Sequence, residues 1–283
     1  MGTLRIKMEQ DLVVRGISER TGRNYVRFVA ALARHYGRAP DTLTVDEIHA
    51  YLAHLRQVRK LTSGSLKTIV TGLRFFYHVT LGQPRAEFTI PAPRPSYRQP
   101  EVLSRPEVTR LLAQTENRRD RMLLMTTYAA GLRVSEVVGL QVSHLDSERM
   151  VIRIEQGKGG RDRYALLSER LLAELRAYWR VFRSAPWLFP GQPPERPVST
   201  RSASRAYHAA KVRAGITKRG GIHSLRHAFA THLVEAGVDI YTVQCLLGHR
   251  HIETTTRYLH LAPPALARRG SRCDLLDFTP PPR

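Results

Sequence analysis

Apolar residues recur at helical spacing through residues 4–82. Leu4 to Arg15 form one amphipathic run. Ser18 stands where it would cap a second, along which Tyr25, Phe28, Val29, Leu32 and Tyr36 share a stripe. Thr44 and Glu47 have the spacing of a capping box ahead of Ile48, Tyr51, Leu52 and Leu55. A fourth run, Ser65 to Thr80, carries Leu66, Ile69, Val70, Leu73, Phe76 and Tyr77 and stops at Gly82. Short amphipathic helices bury their stripes only against one another, so residues 1–82 are expected to fold as a small helical bundle.

The pattern breaks at 83–100, where Pro84, Pro91, Pro93, Pro95 and Pro100 alternate with Arg85, Arg94 and Arg98. Proline resists helix and favours extended chain, so this stretch reads as an interdomain linker. Ser104 and Glu107 then form a second capping box, opening a helix to about Gln114. An apolar helix follows from Arg119 to Ala130, ending at Gly131, and another from Leu132 to Leu140. Met150 to Glu155 and Arg163 to Leu167 alternate as strands of a hairpin turning at Gly157, Lys158, Gly159 and Gly160. Helices are expected at Ser168–Phe182, Thr200–Ala214, Ser224–Ala236 and Ile240–Leu247. Residues 263–283 are rich in proline and irregular, with an apolar patch at Leu275, Leu276 and Phe278 that either docks on a neighbouring protomer or belongs to a loose tail. The expected architecture is mainly α with a small β-sheet or hairpin: a helical bundle over 1–82, then a mixed α/β domain over 101–262.

Composition adds a partner. Forty-five Lys plus Arg against 24 Asp plus Glu leave a charge of +21, which calls for a polyanion and makes nucleic acid the leading candidate. Arginine dominates, and its planar fork suits phosphate. Lys60, Lys67 and Arg74 in the bundle, Arg94 and Arg98 in the linker and Arg161 in the hairpin turn are candidate DNA contacts, although each also reads as part of a solvated face. Cys245 and Cys273 make no disulfide framework; Cys245, within an apolar helical run, reads as a buried thiol. No apolar run approaches a membrane span, so a soluble, cytoplasmic protein is expected.

The chemistry concentrates between Ile222 and Leu261. His223, Arg226 and His227 stand at i, i+3 and i+4, which on a helix puts two imidazoles and a guanidinium on one face. His249 follows a glycine at a helix end, and Tyr258 lies beyond the polar run Glu253 to Thr256. Free tyrosine ionises near pH ~10, so it becomes a nucleophile only where cations or a base favour the phenolate. Arg226 and the histidines supply both. A zinc site on His223 and His227 is the competing use, but the guanidinium beside them repels a dication, and neither the glutamate of a zinc helix nor a cysteine pair is present. No metal is expected.

The segments HSLRH and LGHRHIETTTRYLH resemble the signature of the tyrosine recombinase (phage integrase) family, in its simple two-domain form. Arg133 in GLRVSE, Lys158 in GKGGRDR, His223 with Arg226, His249 and Tyr258 match the family's catalytic positions, and Glu136 its acidic one. The resemblance implies a SAM-like core-binding domain and an integrase catalytic domain. It implies that Arg133 and Arg226 clamp one DNA phosphate while Tyr258 attacks it, leaving a 3′-phosphotyrosyl link. Lys158 protonates the departing oxygen, His223 acts as acid and base, with His227 in support, and His249 holds a phosphate oxygen. Glu136 either pairs with Arg133 or holds His223. The implied partners are double-stranded DNA with paired half-sites and three further copies of the chain, with no cofactor, metal or ATP. A type IB topoisomerase-like activity and a non-catalytic DNA-binding role are the alternatives.

Overall fold

The capping pairs form as the spacing predicts. Thr44 and Ser104 each accept from the backbone N–H three residues on, and Glu47 and Glu107 each accept from the backbone N–H of the capping residue. Ser18 differs: its hydroxyl bonds the Thr21 hydroxyl and caps no backbone group.

The computed structural model describes residues 2–84, 89–91, 101–155, 162–183, 185–248, 253–256 and 258, in two units, Met1–Gln99 and Pro100–Arg283. Expectations for the rest of the linker (Arg94 and Arg98), the hairpin turn (Lys158 and Arg161), His249 and the tail fall outside the described residues. Among those described, no helix is long and apolar enough to cross a membrane.

The first unit holds α1 (Gly2–Val14), α2 (Glu19–Tyr36), α3 (Val45–Gln57) and α4 (Ser63–Phe75), the last widening into a π turn at Phe76–Thr80. Its core gathers Met8, Leu12, Leu32, Ile48, Tyr51, Leu73 and Phe76. α4 starts two residues before Ser65 because Thr62 takes the capping role. Arg74, expected at DNA, donates through Nε to the carbonyl of Ile90 (2.9 Å) and ties that stretch of chain to the bundle. Lys60 and Lys67 are exposed.

The second unit runs α5 (Arg105–Ala113), α6 (Arg118–Ala129), α7 (Val134–Val138), β1 (Leu145–Asp146), β2 (Val151–Ile154), β3 (Arg163–Leu166), α8 (Glu169–Phe182), α9 (Thr200–Arg213), α10 (His223–Glu235), α11 (Ile240–Leu247) and α12 (Glu253–Thr256). The sheet is antiparallel in the order β1-β2-β3, with Leu145 opposite Ile152, Ile152 opposite Ala165 and Ile154 opposite Arg163. β1 and α12 were not expected: two residues of strand and four polar helical residues are too short for a periodic signal. α7 is also shorter than Leu132–Leu140, because Gly131 takes a left-handed turn and Arg133 is extended. A side chain at Gly131 would also collide with the ring of Phe229.

α10 is the central helix, packed on α6, α5 and α11. Leu225, Ala228, Phe229, Ala230 and Val234 are all buried on it, and so are Arg226 and His232. Cys245 is exposed, contrary to expectation: Val243 and Leu247 are the inward residues of α11, and position 245 falls on the opposite side of the turn.

Candidate functional site

Three arginines meet one carboxylate beside α10. Arg133 precedes α7, where Glu136 accepts its backbone N–H through Oε2 at 2.8 Å and its guanidinium through Oε1 at 2.6 Å. Arg163, the first residue of β3, donates through Nη2 to Glu136 Oε2 at 2.8 Å. Arg226, only 1% exposed, has Nη1 at 3.8 Å from the same oxygen. Three guanidiniums less one carboxylate leave two positive charges in a largely buried place.

The same arginines grip the end of α11. Arg163 Nη1 donates to the Leu246 carbonyl at 2.7 Å, Arg226 Nη2 to the Leu247 carbonyl at 2.5 Å and Arg133 Nη2 to the Gly248 carbonyl at 3.4 Å. Carbonyls of a last helical turn have no intrahelical partner and form the negative end of the helix dipole, so three consecutive ones are a natural seat for cations. Gly248 has φ +62°, a left-handed cap that ends the helix. Arg226 also donates to the Gly131 carbonyl at 2.7 Å, so the turn before Arg133 is fixed by the helix that carries His223 and His227.

The electrostatics follow from burial and neighbours. Burial, then the guanidinium of Arg133, lower Arg226 to about 9, which leaves it charged at neutral pH. Burial pushes Glu136 up, but Arg163 and then Arg133 outweigh it and hold the carboxyl below its usual range. His223 keeps an exposed edge, yet the protein packed around its ring, followed by Arg226 and Arg133, depresses it and favours the neutral imidazole.

Tyr258 is 1% exposed and packs with Phe229, Ala230, Val234, Val243 and Leu247. Its hydroxyl lies 3.0 Å from His227 Nδ1 and is hydrogen-bonded to it. His227 in turn meets His223 edge to face, with ring centroids 4.7 Å apart. Sequence reading put His223 beside the phenol; the structure puts His227 there. One helical turn separates them, and α10 turns the second towards the apolar cluster that holds Tyr258. Of the expected site residues, Arg133, Glu136 and Arg226 are brought together, with His223, His227 and Tyr258 alongside. Glu136 pairs with Arg133, one of the two alternatives left open.

Arg163 was missed. Period two along β3 puts it on the same side as buried Ala165, and a cation facing inward on a strand is the signal that would have found it. Buried His232 is hydrogen-bonded through Nδ1 to the Tyr128 hydroxyl at 2.8 Å.

Residues 101–264 match the Phage integrase family, and residues 4–87 match Phage integrase, N-terminal SAM-like domain. A protein of Sinorhizobium fredii named integrase/recombinase is 42% identical over 286 residues, covering 100% of this chain and 93% of its own. Tyrosine recombinase XerA of Thermococcus kodakarensis is 32% identical, covering 96% of this chain and 95% of its own. Among solved structures, a lambda integrase tetramer bound to a Holliday junction superposes with a TM-score of 0.76 at 20% identity, over 91% of this chain and 76% of that one, a likeness of fold. The arginine cluster and the tyrosine therefore sit in a chain that belongs to the phage integrase family, the tyrosine-type site-specific DNA recombinases.

Proposed function

We propose that Tyr258 cuts one strand of double-stranded DNA at a specific site and holds it as a 3′-phosphotyrosyl link, and that Arg133 and Arg226 receive the phosphate in the pocket they share with Arg163 around Glu136. The observation that carries this reading is the positive excess around Glu136, a buried pocket of guanidiniums that one carboxylate leaves undercompensated. A phosphodiester gains negative charge on its non-bridging oxygens in the transition state, and preorganised guanidiniums stabilise that charge.

The phenol oxygen bonds phosphorus as the bond from phosphorus to the 5′-oxygen breaks. His227, 3.0 Å from the phenol, takes its proton, and the departing 5′-oxygen takes one from Lys158. His223 and His249 hold phosphate oxygens. A 5′-hydroxyl from a partner strand then attacks the phosphotyrosine, restoring the phenol. One phosphodiester is lost and one made, so the cycle needs no ATP, and its charges are met by side chains without a metal or cofactor. Because Tyr258 is buried, it has to be uncovered when DNA enters.

Residues 1–82 would bind the core site, with Lys60 and Lys67 at its phosphates. The linker 83–100 would follow the backbone with Arg94 and Arg98. Residues 101–262 would catalyse, with Arg161 at the DNA, and 263–283 would dock on a neighbouring copy. Four copies on two paired half-sites, in the cytoplasm, make the working assembly; the lambda integrase solved as a tetramer on a Holliday junction supports that number.

A nicked half-site duplex whose 5′-hydroxyl fragment diffuses away traps the intermediate. Unsubstituted protein should give an adduct stable to denaturation and Tyr258→Phe none. Equal adduct from both would overturn the assignment of the nucleophile, and relaxation of a supercoiled circle carrying two sites, without strand exchange between them, would make the chain a topoisomerase.

A further inference from the structure

Glu136 has few acceptor positions and more guanidiniums than it can serve. Oε1 takes Arg133 Nη1, and Oε2 takes the Arg133 backbone N–H and Arg163 Nη2. Arg226 is held off at 3.8 Å and turns its Nη1 to the Gly131 carbonyl at 2.7 Å instead. Arg163 thus fills the place on the carboxylate that Arg226 would otherwise take.

Its own setting is constrained. Nη1 is fixed on the Leu246 carbonyl, and Nε is buried with no acceptor among the described residues. A buried donor left unmatched is costly, so the surrounding fold imposes the position. Gly248 is part of that constraint: a Cβ there would lie 2.3 Å from Arg163 Cδ. Arg163 also opens β3, opposite Ile154 on β2, so it ties the ends of these paired strands to both Glu136 and the end of α11.

We infer that Arg163 is a positioning residue for strand transfer: by occupying Glu136 Oε2 and the Leu246 carbonyl, it keeps Arg226 free of the carboxylate so that the charge of Arg226 is directed at the DNA phosphate. The inference rests on the reading of the pocket given above. Without Arg163, Glu136 turns to Arg226, the pair neutralises itself, and the phosphate loses a cation without any loss of a group that touches it.

The test uses the full chain and two nicked half-site substrates, one with the native phosphodiester and one with a methylphosphonate at the scissile position, which carries no charge there. Arg163→Met keeps the stem and removes the donors. Single-turnover adduct formation on the phosphodiester should fall roughly 10–100-fold, the range for partners that orient a reacting group. Affinity for uncleaved duplex should change far less. On the methylphosphonate the deficit should largely disappear, because no phosphate charge remains to be balanced. Arg163→Lys keeps a cation but offers one ammonium to two separated acceptors, so it should fall between; it carries the same comparison if the Met variant folds poorly. A deficit equally large on both substrates, or none on the phosphodiester, would overturn the role of Arg163 alone. Absence of adduct from the unsubstituted chain on the phosphodiester would overturn the reading of the pocket, and this inference with it.

Discussion

The two units use the same ion-pair chemistry to opposite ends. In the first, Arg5 pairs with Glu9 and Arg23 with Glu19 along helix surfaces, with side chains 47–82% exposed. In the second, Arg133, Arg163 and Arg226 surround Glu136 with side chains 1–21% exposed. Water and salt screen the surface pairs, which contribute about 0–1 kcal/mol each and leave their cations free to meet a polyanion. Charges shielded from water have lost much of their hydration, so the single carboxylate becomes obligatory and the positive charge it leaves unmatched stays unscreened. Position, more than residue type, separates a cation that adds to the general field from one that takes part in chemistry.

The largest effect should come from removing the carboxylate. Glu136→Gln leaves one buried and two half-buried guanidiniums without a counter-charge, and breaking such a set from one side costs up to roughly 3–5 kcal/mol. Thermal unfolding of the variant should drop accordingly, and sulfate or duplex DNA should recover more stability for it than for the unsubstituted chain, because an anion replaces what was removed. A variant as stable as the parent, or indifferent to sulfate, would mean that the pocket is less charged than its geometry requires.

Next is Arg226→Lys. One ammonium cannot reach both the Gly131 and the Leu247 carbonyls as the planar fork does, so the cation is displaced from its place. Adduct formation should fall roughly 10²–10³-fold, as when one preorganised donor to a developing oxyanion is lost. In the first unit Arg23→Lys keeps its charge at the surface and should leave the rate unchanged. Equal effects at the two positions would erase the distinction between the units.

That distinction was only partly legible in the sequence. The capping pairs Thr44 with Glu47 and Ser104 with Glu107 are local, three residues apart, and so could be read directly. Arg133, Glu136 and Arg226 were found through motifs that keep their order along the chain. Arg163 was not, because its role depends on β3 lying beside α7 and α11, and no spacing along the sequence encodes that neighbourhood. The choice of His227 over His223 as the partner of the phenol is a matter of one turn of α10, below what periodicity resolves. Cys245 went the other way: an apolar run suggested burial, but a helix of eight residues packed on one side leaves the opposite side outside.

A smaller effect lies in acid stability. His223 and His232 are both depressed, by burial first. An unfolded histidine takes its proton near pH ~6.5, so above that neither form is charged and nothing is lost. As pH falls below it, the unfolded chain binds protons that the folded one resists, and stability declines until the folded values are passed. Glu136, also depressed, adds a second loss only below the usual carboxylate range. Unfolding midpoints should therefore begin to fall just below pH ~6.5, and His232→Gln, whose hydrogen bond to Tyr128 an amide can still serve, should flatten the first part of the curve. An unchanged slope would show that the imidazole is not kept neutral.

The smallest effect is expected at Glu19→Ala, which removes the partner of Arg23 on α2. The pair is 3.5 Å long and exposed on both sides, so unfolding stability should shift by no more than about 0.5 kcal/mol, and that shift should vanish in high salt. Removing an acid from this surface also raises the local positive potential, so affinity for duplex DNA at low salt should rise slightly while the adduct rate at saturating DNA stays the same. A change in that rate would mean that α2 reaches the chemistry, and the contrast between a field-setting unit and a reacting unit would no longer hold.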